Sequence, residues 1–498
     1  MIYSDVILTM IVSGMLDPRL LGKIKIPDRR FSFSGRGATA AELLRIIFAY
    51  KYIDKGNIQF IYQFNQGGIQ MVTISKFSLE NTRYQNLLSR KSGIPEAVEI
   101  TVKDVLKNVK EKGDEALKEY MQKFDGVDID EIGLMVSDAE FEAAKERVSD
   151  EFKNAVKLAC DNLFRFHRRQ LPSGFVEKFE NGAVLERKYT PLNSVAVTVP
   201  GDMAPLISTL CMNLVPAVVA GVPNIYILTK PRKDGTIDDR LLYVADYLGV
   251  RNYYKISGSQ GLAAVAYGTE KVKKVDAITG PGNNYTQMAK KLLFGEVKID
   301  SIAGPSEIAI IADEKADPTF IAADMMSQAE HGTGFEASTA FVLSETQAEK
   351  IKAEINRLTS ENDLVKATEK TFTNYGDIFV VDSINEAVEA VNGIAPEHAE
   401  LLLEDYEEVL SKITNAGAVF VGEYSTEPVG DYFCGTNHIL PTCGTARFSS
   451  GMSVNEFVRG YSVIKYPENA LKENADYIIE LAEAEGMRAH ALAVKVRK

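Results

Sequence analysis

The chain is poor in the features that disulfide-stapled, membrane-spanning or nucleic-acid-binding proteins need. Its four cysteines, Cys160, Cys211, Cys434 and Cys443, are scattered through 498 residues. None forms a C-x-x-C pair, so neither a disulfide framework nor a zinc ribbon is suggested, and a reducing cytoplasm fits. Positive charge is also short: 56 Lys and Arg against 69 Asp and Glu leave a net charge of −13. That balance argues against an electrostatic grip on nucleic acid or anionic membrane and points to a small-molecule partner. The apolar run "VILTMIVSGML" near the start is too short to span a bilayer and has neither a basic leader nor a small-residue cleavage pattern. Histidine is scarce, with five in all, so each one carries information.

Apolar residues make up 45% of the chain, enough for two or more domains with proper cores. From Val195 strand-like and helix-like runs alternate: "VAVTVPG", "NIYILTK", "YYKISG" and "VDAITGPG" are separated by amphipathic segments. A second series follows in "SEIAIIAD", "STAFVLSE", "DIFVVDS" and "AGAVFVGE". This rhythm predicts an α/β protein: two related Rossmann-like lobes with parallel sheets, and a helical C-terminal tail. Gly201, Gly258, Gly280 and Gly282 fall just after strands, where open parallel sheets bind ligands. The expected divisions are an N-terminal extension over 1–70, an arm over 71–95, one lobe from 96–194 with 307–450, a second over 195–306, and the tail over 451–498.

The first 70 residues fit this plan poorly. "FSFSGRGATAAELL" sets Gly35, Gly37 and Ala40 in the spacing of a dinucleotide fingerprint, but no full βαβ unit with a well-placed ribose acid follows. Met71 opens a segment that leads smoothly into the rest, which makes it a candidate native start.

The reactive residues gather around the histidines. His167, in "RFHRRQ", reads as a solvated residue on a basic helix surface. The other four each have a companion able to bind or move protons: Gln328 and Glu330 beside His331, Glu397 beside His398, Asp431 before His438, and Glu485 before His490. In "MMSQAEHGTG" a helix capped by Asp317 and opened by Pro318 runs until Gly332 can stop it, setting Gln328 and His331 on one face. Such a pair can hold a metal, hold a substrate or face water. In "APEHAE", Pro396 marks a plausible helix start that would set Glu397 near the positive end of a dipole. "GDYFCGTNHILPTCGTARFSSG" suits a binding loop as well as a mobile one. A site of Gln, Asp and two His would present mixed oxygen and nitrogen ligands of the kind Zn²⁺ accepts, and the lack of thiolates suggests a catalytic site.

Across residues 71–498 the chain resembles the histidinol dehydrogenase family. The ordered matches are "FDGV", "VPGDMAPLISTLCMNLVPAVVAGV", "AYGTEKVKKVDAITGPGNNY", "IDSIAGPSEIAIIAD", "SQAEH", "APEHAELL", "GDYFCGTNHILPTCGTARFSSGMSV" and "AEGMRAHALAV". The resemblance implies one zinc ion per subunit held by Gln328, His331, Asp431 and His490. It implies an NAD-dependent oxidation of L-histidinol to L-histidine through an aldehyde, the last steps of histidine biosynthesis, with Glu397 and His398 as the acid-base pair. Ser306, His398, His438 and Glu485 would join the metal ligands in contacting substrate. Thr198, Gln260 and Asn283 match cofactor-contact positions, so the lobe over 195–306 would contribute the NAD contacts and the other lobe most of the metal site. Family members are homodimers whose tail crosses to the partner, so Glu485 and His490 would complete the other subunit's site. Thr198 stands where the family usually has Tyr, and Asp202 where it has Gly; an extra carboxylate near a pyrophosphate implies weakened NAD affinity. Two other readings are an alcohol dehydrogenase of the same scaffold acting on another polyol, such as a sulfonated diol, and a non-catalytic zinc-binding relative. Glu485 disfavours the first, because a sulfonate would prefer a positive partner.

Overall fold

A computed structural model describes residues 72–90, 94–201 and 205–498. The Gly35–Gly37–Ala40 spacing, Met71 and Asp202 lie outside the described residues. In chain order the strands are β1 (Thr73–Lys76), β2 (Phe175–Lys178), β3 (Val184–Pro191), β4 (Ser194–Thr198), β5 (Asn224–Leu228), β6 (Tyr253–Tyr254), β7 (Ala277–Thr279), β8 (Lys298–Ile299), β9 (Glu307–Ala312), β10 (Ala337–Val342), β11 (Gly376–Val380), β12 (His398–Leu402), β13 (Ala418–Val421) and β14 (Val458–Lys465).

Two sheets are wholly parallel, as the alternating pattern requires. One has the order β1-β11-β10-β9-β12-β13 and the other β6-β5-β4-β7-β8. Strands such as "EIAIIA" and "ASTAFV" are buried at every position, because helices cover both faces of a sheet wound by right-handed crossovers. The second sheet reverses direction of winding at β4 and β7, the switch point beside which doubly wound sheets form a crevice. There the chain comes so close that a Cβ on Gly280, at φ +106°, would lie 2.3 Å from the Thr198 carbonyl oxygen. Among the described residues no helix is long and apolar enough to cross a membrane.

Two expectations about the fold need correction. The helices Glu96–Lys112 and Asp150–His167 do not join the 307–450 lobe. Val102, Val105 and Val109 of the first pack with Ile278 and Leu262, and Val156, Cys160 and Leu163 of the second with Val195 and Leu210. Their apolar stripes therefore complete the core of the β4-to-β8 sheet, leaving 307–450 to be completed by the arm, whose β1 pairs with β11. "APEHAE" does not begin a helix. Residues 398–402 are a central strand between β9 and β13, with His398 opposite Ile308 and Ala418; two flanking ladders outweigh the weak strand propensity of "HAELL". The tail is helical as expected, over Glu468–Ala484 and Arg488–Lys495. Before that, β14 pairs antiparallel with β3, which pairs with β2 in a separate three-stranded sheet.

The helix of the quoted "MMSQAEHGTG" stretch follows its end signals with one difference. Asp317 accepts from the Thr319 N–H at 2.7 Å and Pro318 opens the helix, but it closes at Ala329. His331 thus sits just past the last turn, before Gly332 turns the chain at φ +68°.

Candidate functional site

Parallel winding decides where the chemistry collects. The helix Pro318–Ala329 follows β9 and runs back against it, so its C-terminal end returns to the edge where β9 and β12 begin. Gln328 arrives beside His398 in this way although 70 residues separate them. The helix Glu427–Tyr432, which follows β13, brings Glu427 and Asp431 to the same place, one turn apart. The histidine cluster therefore lies at the amino edge of the six-stranded sheet. The glycine turns lie at the carboxyl edge of the other.

His398 is buried, and its two ring nitrogens have different roles. Nδ1 lies 3.2 Å from the Glu307 carbonyl oxygen and 3.2 Å from Gln328 Oε1. Both are acceptors, so Nδ1 carries the proton and Nε2 the lone pair. Among the described residues Nε2 has no hydrogen-bond partner, and neither does the buried Asp431 Oδ1, 3.8 Å away. Burial depresses the His398 pKa to about 3, so the ring is neutral at pH 7 and keeps a lone pair on Nε2.

Carboxyls surround this ring. Asp431 is pushed up to about 8 by burial and by the nearby Glu427 charge, and burial also raises Glu427. One ligand atom from each of His398, Glu427 and Asp431 lies within 4.8 Å of the others. Buried polar atoms without partners are rare, and carboxyls crowded by burial and like charge are relieved by a cation. The donor set therefore fits a divalent metal. Of the four ligands implied by resemblance, Gln328 and Asp431 both reach this cluster, each through His398. His331 contacts Gln328: its Nδ1 lies 3.2 Å from the Gln328 carbonyl oxygen and 3.4 Å from Nε2. Glu427 was not anticipated; its signal was the i, i+4 spacing to Asp431 within "EPVGD". Glu397, next to His398, is buried, and burial drives its carboxyl well above the usual range, against a hydrogen bond with Ser306 that lowers it.

His438 enters from the long polar loop. Its Nε2 lies 3.2 Å from Thr209 Oγ1 and its Nδ1 3.8 Å from Asp431 Oδ2. The neighbouring Asn437 donates to the Met212 carbonyl oxygen at 2.6 Å and faces His167 Nε2 at 3.4 Å. His167 is thus fully buried rather than solvated, because the last turn of its helix is roofed by the 437 loop. Its Nδ1–H donates to Gln170 Oε1 at 2.7 Å, leaving Nε2 to accept from Asn437. Burial lowers the His167 pKa. The unfolded chain therefore binds a proton here that the native state resists, and stability falls as pH drops below the unfolded value of about 6.5. In urea titrations at pH 7 and pH 5, His167→Gln is expected to lose less stability on acidification than the parent, although it starts about 1–2 kcal/mol less stable at pH 7.

Other anticipated residues lie apart from this cluster. Glu485 and His490 are exposed on the tail, and no described contact joins them to His398 or Asp431. Thr198 ends β4 and is buried beneath Gly280. Gln260 donates to Asp125 Oδ2 at 3.0 Å, and Asp125, from "FDGV", pairs with Lys230. Asn283 caps the helix Asn284–Leu293 by accepting from Tyr285 and Thr286 N–H groups. Thr198, Gln260 and Asn283 all follow or approach the carboxyl edge of the β4-to-β8 sheet.

Comparison with known proteins agrees with the motifs. The histidinol dehydrogenase family model matches residues 88–498. Histidinol dehydrogenase from Clostridium acetobutylicum is 45% identical over 424 residues, covering 84% of this chain and 97% of that protein. The Bacillus subtilis histidinol dehydrogenase is 43% identical, covering 80% and 92%. The crystal structure of histidinol dehydrogenase from Elizabethkingia anophelis superposes with a TM-score of 0.81 at 34% identity, over 86% of this chain and 99% of that one. With the parallel-sheet architecture and the motifs in order, these matches make the chain an oxidoreductase that belongs to the histidinol dehydrogenase family.

Proposed function

We propose that the protein oxidises L-histidinol to L-histidine in two steps, with zinc and NAD. The observation that carries this reading is the His398 ring: neutral, fixed through Nδ1, with an unpartnered Nε2 facing the site. In the first step His398 Nε2 takes the hydroxyl proton as the adjacent carbon gives up a hydride, yielding the aldehyde. Glu397, once ionised, takes a proton from the water that hydrates the aldehyde; its raised proton affinity makes it a stronger base at that moment. As the aldehyde is hydrated, His398 returns its proton to the aldehyde oxygen; loss of a second hydride from the hydrate then gives the carboxylate, with His398 taking a proton again. Ser306 and His438 orient the substrate, and burial of the site keeps the aldehyde from solvent.

Zinc would be held by Gln328, His331 and Asp431, with His490 supplied by the tail of a second copy, and would make the substrate hydroxyl easier to deprotonate. NAD, when bound, accepts the hydride; the carboxyl edge with Thr198, Gln260 and Asn283 is its proposed site, in keeping with the switch point there. The dimer is supported by the tail helices Glu468–Ala484 and Arg488–Lys495, which bury only Ala470, Ala475 and Ala491 and leave Tyr477 72%, Leu481 69% and Leu492 57% exposed. An apolar face of this kind marks an interface. The test follows NADH formed from L-histidinol and NAD. Two NADH per histidinol, lost on chelation and regained with zinc, is the expected result; a metal-loaded protein that forms no NADH refutes the reading.

A further inference from the structure

The pairing of β9 with β12 sets Glu307 opposite Glu397, one residue before the His398–Ile308 pair. The two glutamates hold each other reciprocally. The Glu307 N–H donates to Glu397 Oε2 at 3.3 Å, and the Glu397 N–H donates to Glu307 Oε2 at 3.2 Å. The Glu307 carbonyl also accepts the His398 Nδ1 proton. One residue thus touches both groups to which proton transfer is assigned.

The other Glu307 oxygen, Oε1, pairs with Arg90 and accepts the Cys443 N–H at 3.1 Å. Arg90 reaches it from the end of the arm, lying over the Tyr375 ring with Nε and Nη1 unpartnered among the described residues. Both side chains are 4% exposed. An ion pair buried so completely, with donors left over, is not an efficient way to stabilise a core; apolar residues of similar volume commonly serve as well or better. The pair is instead arranged around the backbone that presents Glu397 and His398.

We propose that Glu307, with its charge balanced by Arg90, is a positioning residue for the Glu397–His398 pair. Its side chain fixes the backbone from which Glu397 and His398 project, and its own main chain fixes the Glu397 carboxyl and the His398 tautomer. The proposal rests on the acid-base reading of Glu397 and His398. In Glu307→Gln one acceptor becomes a donor that faces Arg90, Cys443 N–H or Glu397 N–H, so the segment must shift. Displacements of about 1 Å in a catalytic group can cost about 100-fold.

The test compares Glu307→Gln, Arg90→Met and the double variant Arg90→Met/Glu307→Gln with the parent and with His398→Asn, measuring thermal stability, kcat and KM for L-histidinol. Arg90→Met alone strands a buried carboxylate and is expected to lose the most stability. The double variant removes both charges and is expected to recover stability while kcat stays at least about 10-fold down and KM moves less than about threefold. A stable double variant with parental kcat, or a Glu307→Gln change confined to KM, overturns the proposal. Full turnover by His398→Asn would instead overturn the underlying acid-base reading, whatever Glu307 does.

Discussion

His398→Asn is expected to lower kcat about 10³-fold, near 4 kcal/mol in the barrier, with a folded protein that still binds substrate. Asn keeps an N–H donor for the Glu307 carbonyl and Gln328 Oε1, the two acceptors that His398 Nδ1 now faces at 3.2 Å. What it removes is Nε2, the unpartnered ring nitrogen proposed as the base. Because the parental imidazole is neutral with a pKa near 3, no charge is lost at pH 7 and no buried countercharge is stranded. The loss should therefore appear in kcat, with KM for L-histidinol changed little. Steady-state and single-turnover NADH measurements check this; a variant within about fivefold of the parent would exclude His398 as the proton acceptor.

The second large effect concerns the tail. His490→Ala and His398→Ala are each expected to abolish turnover alone, yet a re-associated equal mixture is expected to recover about a quarter of parental activity. In a mixed dimer one site combines both defects. The other combines an intact body with an intact tail and is fully competent. Half the dimers are mixed, and half of their sites work. The motive is geometric: Glu485 and His490 are exposed and uncontacted by the His398–Asp431 cluster within one chain, while the same helices turn Leu481 and Leu492 outward. Recovery of no activity, with mixed dimers shown by mass spectrometry, would mean each chain completes its own site.

The sequence carried the local half of this picture well. Buried strands such as "EIAIIA" show their place because a two-faced strand must be apolar throughout. The helix containing Gln328 shows its start because Asp317 and Pro318 are cap chemistry. Where the local signal is weak, distant contacts set the conformation. "HAELL" has little strand character, and only pairing with Ile308 and Ala418 makes it one. "RFHRRQ" looks solvated because three cationic or polar neighbours do face water, whereas the roof over His167 comes from Asn437, 270 residues away.

The sequence by itself determined the alternation of strands and helices, the residue types available for metal and proton chemistry, and the family to which their order belongs. These depend on periodicity and on chemical identity, both of which are written along the chain. Only the tertiary structure decided that the helices of 96–167 serve the β4-to-β8 sheet, that the His398–Asp431 cluster sits at the amino edge of the other sheet, and that Glu307 and Arg90 stand behind Glu397 and His398. Those facts depend on strand register and burial. Register and burial arise from contacts between distant segments, where a shift of one residue would turn His398 to the opposite face of the sheet.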